Sequence, residues 1–522
     1  MKGRFAAASI LSGAAALVLA TNALAVSVVQ VSGTSSPYKA CTPIGQSGIN
    51  YPNAEVEPQV AVNPFNTSNI VGQWHQDRWS NGGARGIGGA FSNDGGVSWT
   101  DTTVPYSSCA TPGLPYERAS DPWVSFGPDG TAYSSALSFD GSTNRNAVAA
   151  TVSHDGGKTW IHQQNIVAYT TAQFFTDKNS TTADPIHAGV AYTVWDTLIA
   201  PTDQPDDRVH AAAYTGPAQF SKTTNGGLTW SPVQTIIGSG NRQQTIGNII
   251  VVDPKSDTLY DFTDLIVPPN TPFRGTASNA ELAFVKSTDG GATWTSPQVI
   301  APFNAAGVID PNTGRRARVG DGLQEVAIDG SGKLYVVWES STNFKKNINQ
   351  AVGTFDNEVL FTTSGDGGAS WSTPSAIVGP STLPIFTPTV AVDSKGNIAV
   401  TYYDSGSLSS TNTTTWPIDL KVTYSEDGGK TFSAGHEVAG PFDLMSAPVA
   451  RGFFLGDYEG LQSTGTKSFI AMFVTTNCNL NPSDPNGPPI GNTSLCGPAG
   501  SVSTPTPNND PTNVFSAALS AP

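Results

Sequence analysis

An eight-residue pattern that recurs six times constrains the fold of this chain more than any other feature. Each copy begins with Ser or Thr, has Asp or Asn at its third position followed by two glycines, and ends with an aromatic residue. The copies, here called the diglycine turns, are SNDGGVSW (92–99), SHDGGKTW (153–160), TTNGGLTW (223–230), STDGGATW (287–294), SGDGGASW (364–371) and SEDGGKTF (425–432). They lie roughly 60 to 77 residues apart, which predicts a repeat architecture.

The segments around these turns predict short β-strands. Upstream of the fifth copy, VAIDGSGKLYVVW (326–338) has two apolar runs separated by a turn rich in Asp and Gly, which is a β-hairpin pattern. The residues just before each turn alternate in polarity, as in LKVTYS (420–425), which is typical of a half-buried strand. Four antiparallel strands per repeat predict an all-β fold, a β-propeller of four-stranded antiparallel blades. Seven blades are favoured, with six as the alternative.

The chemistry of the diglycine turn indicates a structural role. In the fourth copy, Asp289 can accept backbone N–H bonds across the turn, and Gly290 and Gly291 can adopt positive φ without a steric penalty. Trp294 can anchor the next strand between two blades. Asn225, which replaces the acid in the third copy, fits this role because an amide oxygen accepts the same bonds. We therefore expect these turns to stabilise the fold rather than to catalyse a reaction.

The two ends of the chain have distinct compositions. Residues 1–25 have a basic start, a short apolar stretch and a small-x-small ending, which predicts a cleaved secretory signal peptide rather than a membrane span. Residues 26–478 are expected to form the propeller, with AVSVVQVS (25–32) as a candidate closing strand. Residues 479–522, rich in Pro, Asn, Ser and Gly, are predicted to be a looped tail. TNVFSAALS (512–520) within that tail is an alternative further strand.

Charge restricts the partners of this chain. The formal net charge of −15 argues against a nucleic-acid surface, which needs basic groups to displace counterions. The same charge disfavours binding to anionic membranes, and no membrane insertion is expected. The expected partner is a glycan or polysaccharide, or an extracellular protein.

The four cysteines predict two disulfides in a secreted chain. Cys478 and Cys496 are the favoured pair because they would close a C-terminal loop, which leaves Cys41 to pair with Cys109. Their spacing fits no zinc pattern, and the histidines are scattered singly. We predict neither a cofactor nor a metal site.

The diglycine turns have the Ser/Thr-x-Asp-x-Gly-x-Thr/Ser-Trp form of Asp-box, or BNR, repeats. On these motifs the chain resembles the sialidase (neuraminidase) superfamily of β-propellers over nearly the whole mature length. The resemblance implies a secreted glycoside hydrolase, in which three arginines bind the substrate carboxylate and a tyrosine nucleophile works with a glutamate and an aspartate. The first of those arginines belongs to an Arg-Ile-Pro motif, which this chain lacks. A non-catalytic propeller that binds a glycan or a protein, and a polysaccharide lyase, remain open alternatives.

Strand alternation places the candidate site on the face opposite the diglycine turns, where the longer and more variable connections run. Arginines and acids precede the first strand of several repeats on that face. A guanidinium group holds a carboxylate through two parallel charge-assisted bonds, so arginines from three repeats are candidate substrate ligands. They are Arg118, Arg318 and Arg451. Asp121 and Asp321, which lie close to them in the sequence, are candidate catalytic acids.

A second group of candidates lies near the ends of the second strands, where an aromatic residue is followed by an acid. Carboxylates that face one cavity can shift each other's pKa and so divide acid and base roles. The segments QWHQDRW and GDYEG depart from the repeat and are the better candidates. They add Glu339, Tyr458 and Glu459 to the catalytic candidates, and Trp74, Asp77 and Arg78 to the substrate-binding candidates. Tyr458 and Glu459 are adjacent, so on a strand they would point to opposite faces.

Overall fold

The computed structural model describes residues 26–42, 45–202, 215–240, 243–267, 279–305, 307–320, 322–341, 357–481, 496 and 510–522. The predicted signal peptide, Asp321 and most of the predicted tail lie outside these residues. Within the described ranges, the regular structure is β-strand apart from one 3-10 turn at Leu444–Ser446. None of the described segments forms a helix long and apolar enough to cross a membrane.

Twenty-eight of the strands in the described part of the chain fall into seven groups of four antiparallel strands, here called sheets I to VII, and a single bridge between Ala84 and Ala119 joins sheets I and II. Sheet I contains β2 (Glu55–Val62), β3 (Ile70–Arg78), β4 (Ala84–Ser92) and β5 (Thr100–Val104). Sheet II contains β6 (Arg118–Phe126), β7 (Ala132–Phe139), β8 (Asn146–Ser153) and β9 (Ile161–Tyr169). Sheet III contains β10 (Phe174–Ala183), β11 (Ala191–Ile199), β12 (Ala218–Thr223) and β13 (Gln234–Ile237).

The next three sheets repeat this order. Sheet IV contains β14 (Gln244–Val252), β15 (Leu259–Val267), β16 (Asn279–Ser287) and β17 (Gln298–Phe303). Sheet V contains β20 (Gln324–Ile328), β21 (Leu334–Ser341), β22 (Asn357–Ser364) and β23 (Ser375–Ser381). Sheet VI contains β24 (Ile385–Val392), β25 (Ile398–Asp404), β26 (Pro417–Ser425) and β27 (His436–Asp443).

Sheet VII joins the two ends of the described chain. It contains β29 (Gly460–Gly465), β30 (Ser468–Thr476) and β31 (Thr512–Ser520), and the N-terminal strand β1 (Val28–Gln30) pairs with β31 as the outermost strand. The predicted closing strand is therefore confirmed. The prediction of a looped tail from residue 479 needs correction, because the alternating apolar residues of 512–520 pair along the whole of β30.

The first strands of the seven sheets contact one another in cyclic order, and that of sheet VII contacts that of sheet I, so they surround a common axis. A separate small sheet lies among the connections at one end of this ring. It contains β18 (Val308–Ile309), β19 (Arg316–Arg318) and β28 (Phe453–Phe454), with β19 and β28 parallel. The all-β prediction with four-stranded antiparallel sheets is confirmed.

Apolar side chains fill the spaces between neighbouring sheets. Val71 of sheet I packs with Val124 and Phe126 of sheet II, and Tyr335 of sheet V packs with Val400 of sheet VI. Separate clusters of the same kind lie between sheets III and IV and between sheets IV and V. Because each sheet buries both faces against its neighbours, the strands read as nearly continuous buried runs. The hydrophobic core is thus distributed around the axis.

The diglycine turns connect the third and fourth strands and pack against the preceding sheet. In the turn of sheet IV, Asp289 accepts bonds from Thr293 N–H (2.9 Å) and Thr293 Oγ1 (2.6 Å), and Ser287 Oγ donates to it at 2.8 Å. Gly291 has φ +85°, and a Cβ there would lie 2.6 Å from the ring of Phe220 in sheet III. Trp294 stacks edge-on against the same ring at 5.4 Å. The structural role predicted for the turn is confirmed.

Substitution of Asp289 tests this role. We expect Asp289→Ala to lower the Tm by a few degrees, because it removes three bonds of the turn. Asp289→Asn should stay close to wild type at neutral pH, since Asn225 accepts the equivalent bond from Thr229 N–H at 3.0 Å.

The pH dependence of the same turn provides a second readout. Bonds from Thr293 and then Ser287 lower the pKa of Asp289 from 3.8 to about 2. The ionised carboxylate therefore stabilises the fold fully above pH 3.8, and this contribution is lost as the pH falls towards 2. Thermal unfolding from pH 2 to 5 should show a steeper loss for wild type than for Asp289→Asn. Equal Tm values for wild type and Asp289→Ala would contradict the assignment.

Two disulfides are formed by cysteines that lie outside the strands. Cys41 is bonded to Cys109, and Cys478 is bonded to Cys496, as predicted. Such bonds persist in oxidising compartments outside the cytoplasm.

The ends of the strands divide the connections between two faces of the ring. Gly95 N–H donates to Ser68 O and Gly226 N–H donates to Gly189 O, each at 2.9 Å. These bonds join diglycine turns to the turns between first and second strands, so both kinds of turn share one face. Connections from one sheet to the next run on the other face, which is where the charged residues gather.

Candidate active site at the ring axis

Five of the first strands contain a β-bulge at the same position, next to the axis. In sheets I, II, III, IV and VI, the pairing with the second strand shifts register there. One residue of each bulge has positive φ: Glu57 (55°), Asp121 (52°), Lys178 (43°), Gly247 (71°) and Thr387 (48°). A non-glycine residue in this conformation costs about 1–3 kcal/mol, and such strain gathers at functional sites. The bulges in sheets I to III place two acids and a lysine side by side.

These residues form a buried network that we call the axial cluster: Glu57, His75, Asp121, Lys178, Arg318 and Asp457. Lys178 Nζ lies 2.6 Å from Asp457, 3.3 Å from Asp121 and 3.5 Å from Glu57. Arg318 binds both carboxylate oxygens of Asp457, at 2.6 and 3.3 Å. The network thus draws together residues from sheets I, II and III and from the small sheet.

His75 joins the two acidic bulges from the second strand of sheet I. Its Nε2 lies 3.1 Å from Glu57 Oε2 and accepts a bond from the backbone N–H of Asp121 at 2.6 Å. On the other side of the imidazole ring, Arg78 Nη1 lies 3.2 Å from His75 Nδ1. The guanidinium groups of Arg78 and Arg318 both lie over the ring of Phe454, at 4.8 and 4.5 Å. Cation–π contacts of this kind fix both arginines beside the cluster.

The electrostatics of the cluster keep Asp121 and Asp457 ionised. Burial would raise the pKa of Asp121, but the charge of Lys178 and the neighbouring His75 hold it well below its usual range. Burial also opposes ionisation of Asp457, yet Lys178 and Arg318 lower the pKa of that carboxyl as well. Burial would lower the pKa of Lys178, but the charges of Asp121, Asp457 and Glu57 raise it. The lysine therefore remains a cation.

A small pocket, with about 20 Å³ of space for water, lies beside the cluster. Its lining residues come from sheets II to V and from the segment before β29: Trp123, Lys178, Asn179, Ser180, Gly247, Asn248, Ile249, Leu323, Gln324, Glu325 and Tyr458. Trp123 and Tyr458 form an aromatic pair with ring centroids 5.4 Å apart. Burial raises the pKa of Glu325 from 4.5 to about 8, so this acid is protonated at neutral pH. The pocket therefore offers a proton donor, a cation and an aromatic wall.

Four of the predicted site residues are brought together here, and one of them, Arg78, contacts His75 of the axial cluster. Arg318 and Asp121 belong to the axial cluster, and Tyr458 lines the pocket. Tyr458 Oη donates to Pro122 O at 3.4 Å, and burial, followed by the charge of Asp121, raises the pKa of its hydroxyl well above 10. This environment keeps the tyrosine protonated, which does not suit the nucleophile role that the sialidase resemblance implies.

The three predicted arginines do not converge in the structure. Arg118 is buried at the start of β6, where it donates to Gln46 Oε1 (2.6 Å), Ser47 O (2.8 Å) and Gly82 O (2.7 Å) and lies 4.5 Å from the ring of Trp79. Arg118 therefore holds the N-terminal loop in place and does not face the axial cluster. Arg451 is exposed, and the charge of Arg318 is the main cause that lowers its pKa.

The candidates at the ends of the second strands have structural roles, apart from Arg78. Trp74 is buried and donates to Gln76 at 2.9 Å. Asp77 accepts bonds from Ser36 Oγ and Asn53 N–H, each at 2.7 Å. Glu339 is buried in β21 and accepts a bond from Asn357 Nδ2 at 3.2 Å.

Tyr458 and Glu459 point in opposite directions, as their adjacency on an extended chain predicts. Glu459 accepts a bond from Tyr403 Oη at 2.7 Å, in the core beside sheet VI. Burial raises its pKa well above 4.5. Glu459 therefore cannot act as a base for Tyr458, and we correct its candidate role to a core hydrogen-bond acceptor.

The sequence candidates omitted Trp123, Lys178 and Glu325, and they assigned no role to Glu57, His75 or Asp457, although His75 and Asp457 lie in the candidate segments QWHQDRW and GDYEG. One sequence signal could have found some of them. The bulge residues occupy one position relative to each first strand, as in Glu57-Pro58, Asp121-Pro122 and Lys178-Asn179. A charged residue at this position in three successive repeats marks the axis.

Comparison with known proteins finds similar solved structures but no matching family. No protein-family model and no curated protein sequence matches the chain. Similar solved structures include an α-L-arabinanase of Penicillium chrysogenum in complex with arabinobiose (TM-score 0.43, 14% identity, 70% of this chain and 94% of that chain). A GH93 α-L-arabinofuranosidase of Fusarium graminearum (0.41, 14%, 69% and 91%) and a Hadza microbial sialidase (0.42, 11%, 78% and 72%) are also similar. At these TM-scores and identities, the neighbours carry no argument about the family or the activity of this chain.

Proposed function

We propose that this chain is a secreted, seven-bladed β-propeller of the sialidase-like type that hydrolyses glycosidic bonds at the ring axis. The seven four-stranded sheets, whose first strands touch in cyclic order, support the blade count. The six diglycine turns support the resemblance to Asp-box propellers, and the two disulfides together with the N-terminal signal pattern support secretion.

One observation carries the proposed reaction: the pKa of the acid in the pocket is shifted in the opposite direction from those of the acids in the axial cluster beside it. Glu325 has a pKa raised to about 8, whereas Asp121 and Asp457 have pKa values lowered by Lys178. Glycoside hydrolysis needs one carboxyl group that stays protonated and one that stays ionised. In this proposal Glu325 protonates the leaving oxygen. Asp121 is the ionised partner, because Asp457 is already held by two cations.

The remaining side chains of the pocket suit a sugar ring. Trp123 and Tyr458 supply an apolar face on which a sugar can stack, and Asn179 and Asn248 lie on the opposite part of the lining. Lys178 Nζ reaches both the pocket and the axial acids, so it can orient Asp121 while it also faces a bound ligand.

Turnover of a panel of fluorogenic glycosides tests the proposal. The mature protein should release the fluorophore from at least one of the sialosides, hexosides or pentosides in the panel. Products should be saturated sugars formed with uptake of one water. An unsaturated product would indicate the polysaccharide lyase. Glycan binding without turnover of any substrate would indicate the non-catalytic propeller and overturn the proposal.

A further inference from the structure

A histidine and two aspartates meet on the face opposite the axial site. Asp184 and His187 lie in the turn between β10 and β11 of sheet III, and Asp257 lies in the equivalent turn of sheet IV, between β14 and β15. One ligand atom from each of the three residues lies within 4.8 Å of the other two. Two neighbouring sheets therefore contribute to one group of oxygen and nitrogen donors.

The distances in this group are those between ligands of one metal ion. His187 Nδ1 lies 3.3 Å from Asp184 Oδ2 and 3.6 Å from Asp257 Oδ1. Both exceed the usual hydrogen-bond distance of about 2.7–3.2 Å. A tetrahedral ion with bonds of about 2.1 Å sets its ligands about 3.4 Å apart. The Asp257 side chain is 44% exposed, so it can rotate to shorten the distance between the two carboxylates.

The surroundings prepare Asp184 to act as a ligand. Its Oδ1 accepts bonds from the backbone N–H groups of Ile186 and His187, each at 2.8 Å, and Tyr192 Oη donates to its Oδ2 at 2.8 Å. Bonds of this kind fix the direction of a metal-binding carboxylate. Asp257 Oδ1 is inaccessible to solvent and accepts no hydrogen bond from the described part of the chain. This oxygen points at His187, and a cation would satisfy it.

We propose that Asp184, His187 and Asp257 bind a divalent zinc-type cation that joins the turns of sheets III and IV. One imidazole and two carboxylates suit a borderline ion of this class, and the exposed side of His187 leaves the fourth position to water. The site is independent of the proposed hydrolase activity, because it lies on the other face of the ring. Its predicted effect is on the stability of the junction between two sheets.

A second group with the same residue types shows why this one is chosen. Glu57, His75 and Asp121 also bring their ligand atoms within 4.8 Å. There, however, the Lys178 ammonium group lies 3.3–3.5 Å from both carboxylates and already supplies the positive charge. No lysine or arginine is among the described ion pairs of the group at His187.

Titration with zinc chloride tests the proposal on the mature full-length protein, first stripped of metal with EDTA. We expect calorimetry to show one site, with affinity at least tenfold lower in His187→Gln and in Asp257→Asn. Zinc should raise the Tm of wild type and not that of His187→Gln. Cobalt(II) should give tetrahedral absorption bands that His187→Gln removes. His154→Gln is the matched control, because His154 lies on the same face with Thr131 Oγ1 3.3 Å from its Nδ1, and it should bind zinc as wild type does.

Three results would overturn the proposal. They are the absence of zinc binding by wild type, unchanged zinc affinity in His187→Gln, and an equal loss of affinity in His154→Gln. Because every readout is binding or stability, failure here leaves the hydrolase proposal standing, and the reverse also holds.

Discussion

Replacing Glu325 with Gln is expected to reduce kcat for glycoside hydrolysis about 10²–10⁴-fold, the usual contribution of a positioned general acid. The amide has the same shape as the carboxyl group but has no acidic proton to transfer to the leaving oxygen. The fold should not suffer, because the substitution also removes the need to keep a buried carboxyl protonated at neutral pH. The Tm of Glu325→Gln should therefore equal or exceed that of wild type.

The leaving group distinguishes loss of the acid from general damage to the site. The dinitrophenolate group of a dinitrophenyl glycoside leaves without being protonated, so Glu325→Gln should hydrolyse such glycosides at nearly the wild-type rate. The same variant should fail on substrates with poor leaving groups. Glu281→Gln provides a matched control in the third strand of sheet IV, and it should keep full activity on both. An equal loss of rate for good and poor leaving groups would contradict the acid role.

Replacing Lys178 with Met is expected to destabilise the protein by about 3–5 kcal/mol, as is usual when one partner of a buried ion pair is removed. The side chain is 9% exposed and faces three carboxylates within 3.5 Å. Its removal leaves Asp121 and Glu57 without their nearest cation. This is the largest stability effect that we expect from a single substitution in the axial cluster.

Urea unfolding at two pH values measures this effect. In wild type, Asp121 and Asp457 have pKa values below 3.8, so their contribution to stability is full above that pH and is lost as the pH falls through the lowered values. Without Lys178 these pKa values rise, and protonation relieves the repulsion. The deficit of Lys178→Met should therefore shrink from pH 7 to pH 4.5.

Two further variants control this experiment. Lys178→Met combined with Asp121→Asn should recover part of the lost stability, because it removes one of the uncompensated charges. The exposed Lys255→Met should change stability by less than about 0.5 kcal/mol. A loss for Lys178→Met no larger than that for Lys255→Met would contradict the account of the cluster.

The sequence was sufficient to predict the architecture because each repeat contains the residues that determine its own turns and strands. The glycines of the diglycine turn must adopt the backbone conformation of the turn and also pack closely against a neighbouring ring, as Gly291 does against Phe220. The aromatic residue packs against the same ring, as Trp294 does. The alternating apolar runs then fix which strands pair. Residues 512–520 were predicted only as an alternative strand within the tail of 479–522, because nothing local indicates that they pair with β30, which lies more than thirty residues earlier.

The site was harder to predict because it depends on where unrelated segments meet. Arg118 and Arg318 look alike in the sequence, since each precedes a first strand near an acid. Their surroundings differ. Arg118 donates hydrogen bonds to Gln46 and Ser47 of a loop. Arg318 lies in β19, whose parallel pairing with β28 places it next to Asp457. Glu325 gives no signal of its own, because its raised pKa results from burial by several sheets.

The pH dependence of kcat/KM tests most directly whether the axial pocket is the active site. Because Glu325 must be protonated to act, and its pKa is about 8, we predict that wild-type kcat/KM falls above about pH 8. On substrates with poor leaving groups, the residual activity of Glu325→Gln should lack this alkaline limb, while Glu281→Gln should retain it. An alkaline limb of unchanged position and slope in Glu325→Gln would contradict the account and place the acid elsewhere.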